Sequence, residues 1–152
     1  MILERGNMWD VFGYTDLFLF TSNPIVNKQG LAVMGRGIAL ETAKRYPQIR
    51  KDFANHINSV WIPDCGYLGT YDSQAIGYFM VKKHWAANAD LAIIDSSITD
   101  LLMLIEENNE RGWKKRYDLN FPGIGNGKLS REEVLPHIEV LPDNVHVWEY
   151  DV

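Results

Sequence analysis

Cysteine is almost missing from this chain. Cys65 stands alone among 152 residues, so there is no internal disulfide and no thiol pair to hold a metal. That usage fits a reducing, cytoplasmic setting. Histidine is sparse too: His56, His84, His137 and His146 show no ligand spacing, and neither a metal nor a cofactor is expected. Positive charge is in the minority, with 15 Lys and Arg against 20 Asp and Glu for a net charge of −5. The chain therefore lacks the basic run that a nucleic-acid groove draws on. A nucleotide-sized ligand is not excluded, because one or two local cations and main-chain amides suffice for it. No apolar stretch approaches a membrane span. The opening segment, Met1 to Asn7, lacks the apolar core and cleavage site of a signal peptide. Internal repeats and low-complexity linkers are also absent. What is plentiful is apolar surface: 46% hydrophobic residues at this length support one domain with a substantial core and exclude a largely disordered chain.

The patterning alternates strands with helices. Met8 to Tyr14 reads as a first strand, and Asp16 to Thr21 as a nearly continuous apolar strand covered on both faces. Helices are expected over Gly37 to Tyr46 and Pro47 to Ile57. Strands follow at Trp61–Ile62, Tyr67 to Tyr71 and Ile76 to Val81, the last two joined by a turn at Asp72-Ser73-Gln74. Leu91, Ile94, Ile98, Leu101, Leu102 and Ile105 share one face of a helix over Asn88 to Asn109, with Asp90 as a cap and Gly112 near its stop. A strand over Tyr117 to Phe121 precedes a helix capped by Ser130 with Glu133 and ending near Leu141. Val145 to Tyr150 closes the set. This order implies an α/β fold, a three-layer α/β/α sandwich around a mixed, mostly parallel sheet.

Two glycine loops carry most of the functional information. Gly30-Leu31-Ala32-Val33-Met34-Gly35-Arg36-Gly37 runs into the helix at Ile38, and Gly123-Ile124-Gly125-Asn126-Gly127 follows another strand. Glycines let main-chain N–H groups approach a ligand, and a helix start adds a positive dipole end. Both loops fall at carboxyl ends of strands, where ligands bind in such folds. Two such loops suit a ligand with two things to hold, such as a diphosphate between two sugars. Asn23 can donate and accept toward a ribose hydroxyl or anomeric phosphate, or serve as an ordinary Asn-Pro turn residue. Lys28, Arg36 and Lys128 are candidate phosphate cations. His84 is a candidate general acid or base, or simply an exposed histidine, and Trp85 reads as packing.

These residues resemble the macrodomain family, the ADP-ribose-binding module. The likeness rests on Thr21-Ser22-Asn23, Asn27-Lys28-Gln29-Gly30, Val33 to Ala39 and Arg45-Tyr46-Pro47, and then on Phe121-Pro122-Gly123-Ile124-Gly125-Asn126-Gly127-Lys128-Leu129. A weaker third motif is Lys82-Lys83-His84-Trp85 followed by Asp90-Leu91 and Ser97. The combination is similar to small bacterial and phage macrodomains related to ADP-ribose-1″-phosphate phosphatases and terminal ADP-ribose protein glycohydrolases. The resemblance implies binding of ADP-ribose or a derivative by Asp16, Thr21, Asn23, Gly30, Val33 to Ile38 and Gly123 to Lys128. Within that set, Asp16 is an acceptor for the adenine amino group, for which Asp10 is also considered. Phe121 or Tyr150 is a stacking candidate. It also implies hydrolysis at the distal ribose through Asn23, Lys28 or His84, with ADP-ribosylated protein or nucleic acid as substrate and no membrane partner. The glycohydrolase branch uses a lysine on the helix after the first loop and an aspartate in the second. Here Ala43 occupies the lysine position, with Lys44 beside it, and Leu129 lies near the aspartate position, so that pair is not carried over. A non-catalytic binder of an ADP-ribose-derived nucleotide, and an α/β protein whose glycine loops only make turns, are the alternatives.

Overall fold

The computed structural model describes residues 1–59 and 61–150. Six strands form one sheet: β1 (Ile2–Arg5), β2 (Leu17–Ser22), β3 (Cys65–Tyr71), β4 (Gln74–Met80), β5 (Tyr117–Asn120) and β6 (Val145–Glu149). Their order across the sheet is β1-β6-β5-β2-β4-β3. Every pairing is parallel except the β3–β4 hairpin. Four α-helices cover it: α1 (Gly37–Arg45), α2 (Ile49–Ile57), α3 (Leu91–Glu110) and α4 (Arg131–Ile138). The sheet is mixed and mostly parallel, as the alternation of elements implies.

Strand β2 shows why three layers form. Side chains alternate across a strand, and β2 is apolar on both faces. Leu17 and Leu19 pack in one core with Ile94, Ile98, Leu101 and Ile105 of α3 and Val134 and Ile138 of α4. Phe18 and Phe20 enter the opposite core with Ala39 and Ala43 of α1 and Ile49 and Phe53 of α2. The buried face of α3 is thus the stripe read from the sequence. Each fully buried Leu, Ile or Phe is worth roughly 1.5–3 kcal/mol.

Local chemistry sets the ends of the elements. The Asp90 carboxylate accepts from the Ala92 amide at 2.8 Å and starts α3. Ser130 and Glu133 form the expected capping box on α4. Asp72 and Ser73 both take positive φ in the β3–β4 turn, as a tight hairpin requires.

Two expected strands are absent. Met8–Val11 is a single 3-10 turn, because the Asn7 side chain accepts from the Trp9 amide at 3.0 Å and curls the chain so that Met8 and Trp9 enter the core. The edge strand is instead Ile2–Arg5, four residues with little burial that are held by pairing to β6. Trp61 and Ile62 form no strand: Trp61 is exposed, and Pro63 has no N–H for a ladder.

Gly77 in β4 is fixed by contact rather than by torsion. A Cβ there would fall on the Gly66 carbonyl oxygen of β3 and lie 2.8 Å from Leu19 Cδ2. Gly77→Ala is expected to cost about 2–3 kcal/mol through overpacking. Thermal unfolding should show a fall of roughly 5–10 °C in Tm.

Candidate functional site

The sheet leaves a cleft of about 600 Å³ at the carboxyl ends of β2, β4 and β5. Three segments build it. The first leaves β2 at Thr21. Asn120, at the end of β5, accepts from the Thr21 amide at 3.0 Å and donates to the Thr21 hydroxyl at 2.8 Å, tying two strand ends together. Asn23 is buried; its carboxamide accepts from Ile25 N–H at 3.0 Å and donates to the Val33 carbonyl at 3.2 Å. The Val33–Gly37 loop is thereby drawn over the end of β2. Between these points the chain makes a small hairpin, with Asn27 Oδ1 accepting from the Gln29 and Leu31 amides and Gly30 at φ +77°.

The loop then enters α1. Arg36 is the N-cap and supplies no side-chain cap, so the amides of the first turn, Gly37 to Ala39, have no intrahelical acceptor. Gly35 faces open space: a Cβ there would meet nothing within 4 Å. The second segment follows β5. The amides of Gly127, Lys128 and Leu129 donate within the loop to Ile124, Gly125 and Gly123, while those of Gly125 and Asn126 make no backbone hydrogen bond among the described residues. Gly127 packs on Ala89 so tightly that a Cβ would lie 2.9 Å from the alanine's. The third segment leaves β4. Val81 N–H donates to Ser22, Ala89 N–H to Gly127 and Asp90 N–H to Val81, which pins the residue 82–88 loop at both ends against the other two segments.

Arg36, Lys82 and Lys128 line the cleft, and no aspartate or glutamate does among the described residues. In a chain of net charge −5 this is a local reversal of sign. Lys82 is half-buried, and burial, then the nearby Arg36 charge, lowers its pKa below the usual lysine value.

The sequence-derived candidates separate. Thr21, Asn23, Val33, Met34, Gly35, Arg36, Gly37, Ile38, Gly123, Ile124, Asn126, Gly127 and Lys128 all line the cleft, and Gly125 lies among them in the second loop. Lys28 and Gly30 sit on the outer hairpin and do not line it. His84 is exposed, its Nδ1 accepts from the Ala86 amide at 3.1 Å, and it is not a lining residue. Asp16 is at the opposite end of β2, where it accepts from Arg116 N–H at 2.7 Å. Asp10 lies in the 3-10 turn, and Tyr150 is exposed outside the lining set. Phe121 is core and also lines the cleft. Ala43 is buried in α1 and Lys44 is exposed.

Lys82, Trp85, Asn88 and Asn120 were not read as cleft residues from the sequence. The available signals were the third motif, which contains Lys82 and Trp85, and position: Lys82 directly follows the strand expected over Ile76 to Val81, and Asn120 lies near the end of the one expected over Tyr117 to Phe121. Because both Asn23 hydrogen bonds hold the loop, Asn23→Ala is expected to weaken ligand affinity and lower Tm together, by about 1–2 kcal/mol in stability. Parallel calorimetry and thermal unfolding would check this.

The fold is the macrodomain fold, with paired glycine loops over a basic cleft, and the chain is similar to macrodomains of solved structure. The macrodomain of Mycobacterium tuberculosis DarG superposes with a TM-score of 0.70 at 28% identity, covering 99% of this chain and 98% of that one. The macrodomain of Thermus aquaticus DarG gives 0.74 at 24% identity, covering 99% and 97%. Thermosipho africanus DarTG, solved in complex with ADP-ribose, gives 0.74 at 18% identity, covering all of this chain and 42% of that one. By sequence, the DNA ADP-ribosyl glycohydrolases of Mycobacterium bovis and M. tuberculosis are each 32% identical over an alignment of 133 residues, and the match covers 81% of this chain. The chain spans only 36% of the length of those curated relatives. No family model matches.

Proposed function

We propose that the cleft binds ADP-ribose and that the protein removes ADP-ribosyl groups from nucleic acid by hydrolysis at the distal ribose. The carrying observation is a strand-end cleft with three cations, loop amides that make no backbone hydrogen bond and, among the described residues, no lining carboxylate. Such a surface selects a compact polyanion. The first-turn amides of α1 and the Gly125 and Asn126 amides act as fixed donors toward the two phosphates. Similarity to proteins named as DNA ADP-ribosyl glycohydrolases supports the substrate class.

In the reaction the bond between the anomeric carbon and the base breaks, and its electron pair leaves with the base. Water supplies the hydroxyl to the carbon and a proton to the base. With no lining carboxylate among the described residues, Lys82 is the side chain suited to proton exchange with the attacking water, since its proton is held less tightly than an ordinary lysine's. It takes the place assigned from the sequence to Lys28 and His84. Asn23 shapes the loop. The lone cysteine, Cys65, is buried and its thiol pKa is raised by that burial, which keeps it out of the chemistry. No helix among the described residues is long and apolar enough to cross a membrane. A cytoplasmic site of action, in a bacterium or a phage-infected cell, is part of the proposal, as is the treatment of residues 1–152 as one macrodomain.

The test is incubation with a single-stranded oligonucleotide carrying one ADP-ribosylated base, with detection of free ADP-ribose. Release is expected. Retained ADP-ribose binding with no release at stoichiometric protein would favour the non-catalytic binder.

A further inference from the structure

We propose that Trp85 is the platform on which the modified base stacks, so that the 82–88 loop is the nucleic-acid wall of the cleft; this rests on the ADP-ribose reading above. Trp85 is 55% exposed, although a tryptophan in that sequence context reads as packing. The other large exposed aromatics, Tyr14, Trp61, Tyr67, Trp113 and Tyr150, do not line the cleft, whereas Trp85 does.

Its loop is ordered by its own bonds. Ala87 N–H donates to the His84 carbonyl at 3.0 Å, Ala86 N–H to His84 Nδ1 at 3.1 Å, and the His84 ring packs 5.1 Å from the indole. A ring held in this way presents its surface at little entropic cost. The Lys82 ammonium donates to the Trp85 main-chain carbonyl at 3.5 Å, and Lys82 and Trp85 both line the cleft. On this reading a leaving group departing beside Lys82 emerges on the Trp85 side of the cleft.

The chemistry of the wall favours a base over a protein side chain. A flat exposed indole offers stacking to any base, and Lys83 next to it is exposed and free to meet a flanking phosphate. A modified arginine or lysine would have no ring to stack and, among the described residues, no lining carboxylate to bond. Stacking one or two bases also needs no long basic groove, which reconciles a nucleic-acid substrate with a net charge of −5. A base inside a duplex cannot reach the indole, so single-stranded substrate is preferred.

The experiment compares wild type, Trp85→Ala and Trp85→Phe on two ligands: free ADP-ribose by calorimetry, and the ADP-ribosylated single-stranded oligonucleotide by KM (or by Kd in a Lys82→Ala background). Trp85→Ala should raise the oligonucleotide KM about 10- to 100-fold and leave the ADP-ribose Kd within about twofold, with Trp85→Phe recovering most of the loss. An unchanged oligonucleotide KM overturns the proposal. A parallel rise in the ADP-ribose Kd also overturns it, because the ring then holds the nucleotide itself, yet it leaves the cleft assignment standing. Failure of wild type to bind ADP-ribose overturns both, and is seen before any variant is made.

Discussion

Gly35→Phe is expected to lower ADP-ribose affinity by at least about 100-fold while leaving Tm within a degree or two of wild type. Two structural facts combine to give so large a binding effect with so small a folding effect. Gly35 is exposed and has no positive φ, so the backbone accepts an L side chain there without strain. The space a Cβ would enter is open, and it belongs to the cleft. On the proposed reading, a benzyl group there would take up space needed by a phosphate or ribose beside the first turn of α1. Losing two or three charge-assisted hydrogen bonds costs about 3 kcal/mol or more, which is the hundredfold. Calorimetric titration beside thermal unfolding reads both quantities. Gly123 and Gly127 are unsuitable for this test. A Cβ on either would collide with Ile94 or Ala89, so loss of binding would merge with loss of fold.

Lys82→Ala is expected to reduce kcat by about 10²–10⁴-fold, the range for removing a group that transfers a proton in the transition state. ADP-ribose affinity should fall by less than about tenfold, since Arg36, Lys128 and the loop amides remain. The pH profile carries a separate sign. Burial and the neighbouring Arg36 charge both disfavour the ammonium form, so the Lys82 pKa lies below the ordinary 10.5. A larger fraction of Lys82 is then neutral at any given pH than for a free lysine. Turnover should rise with pH and level off with an inflection below 10.5. Lys82→Arg, whose side chain does not deprotonate, should keep the positive charge and ligand affinity but lose the rise. A Lys82→Ala enzyme with unaltered kcat would remove Lys82 from the chemistry.

Much of the fold was legible because period and punctuation agreed. The α3 stripe, the Ser130–Glu133 box and the Asp72-Ser73 turn are local signals whose chemistry is complete within a few residues. The misread pieces depend on distant partners. Ile2–Arg5 is a strand only because β6 lies beside it, although more than 140 positions separate the paired residues Ile2 and His146. Met8–Val11 curls because Asn7 caps it and the core accepts Trp9, a tertiary decision that overrides an apolar run. The site divides in the same way. The glycine loops announce themselves, since main-chain approach to a ligand demands small residues. Lys28 and His84 stand out by side-chain type, yet each sits in a local turn, held by Asn27 and by the His84–Ala86 bond, and its place outside the cleft is set only when the strands assemble. Lys82 looked ordinary because its distinction, partial burial beside Arg36, exists only after β4 and the first loop come together.

The most direct test of the central claim is a crystal structure with ADP-ribose bound. The expected result is a pyrophosphate held between the amides at the start of α1 and those of Gly125 and Asn126, with the distal ribose turned toward Lys82. A nucleotide seated elsewhere on the molecule, or lying in the cleft with its phosphates away from both loops, would contradict the account.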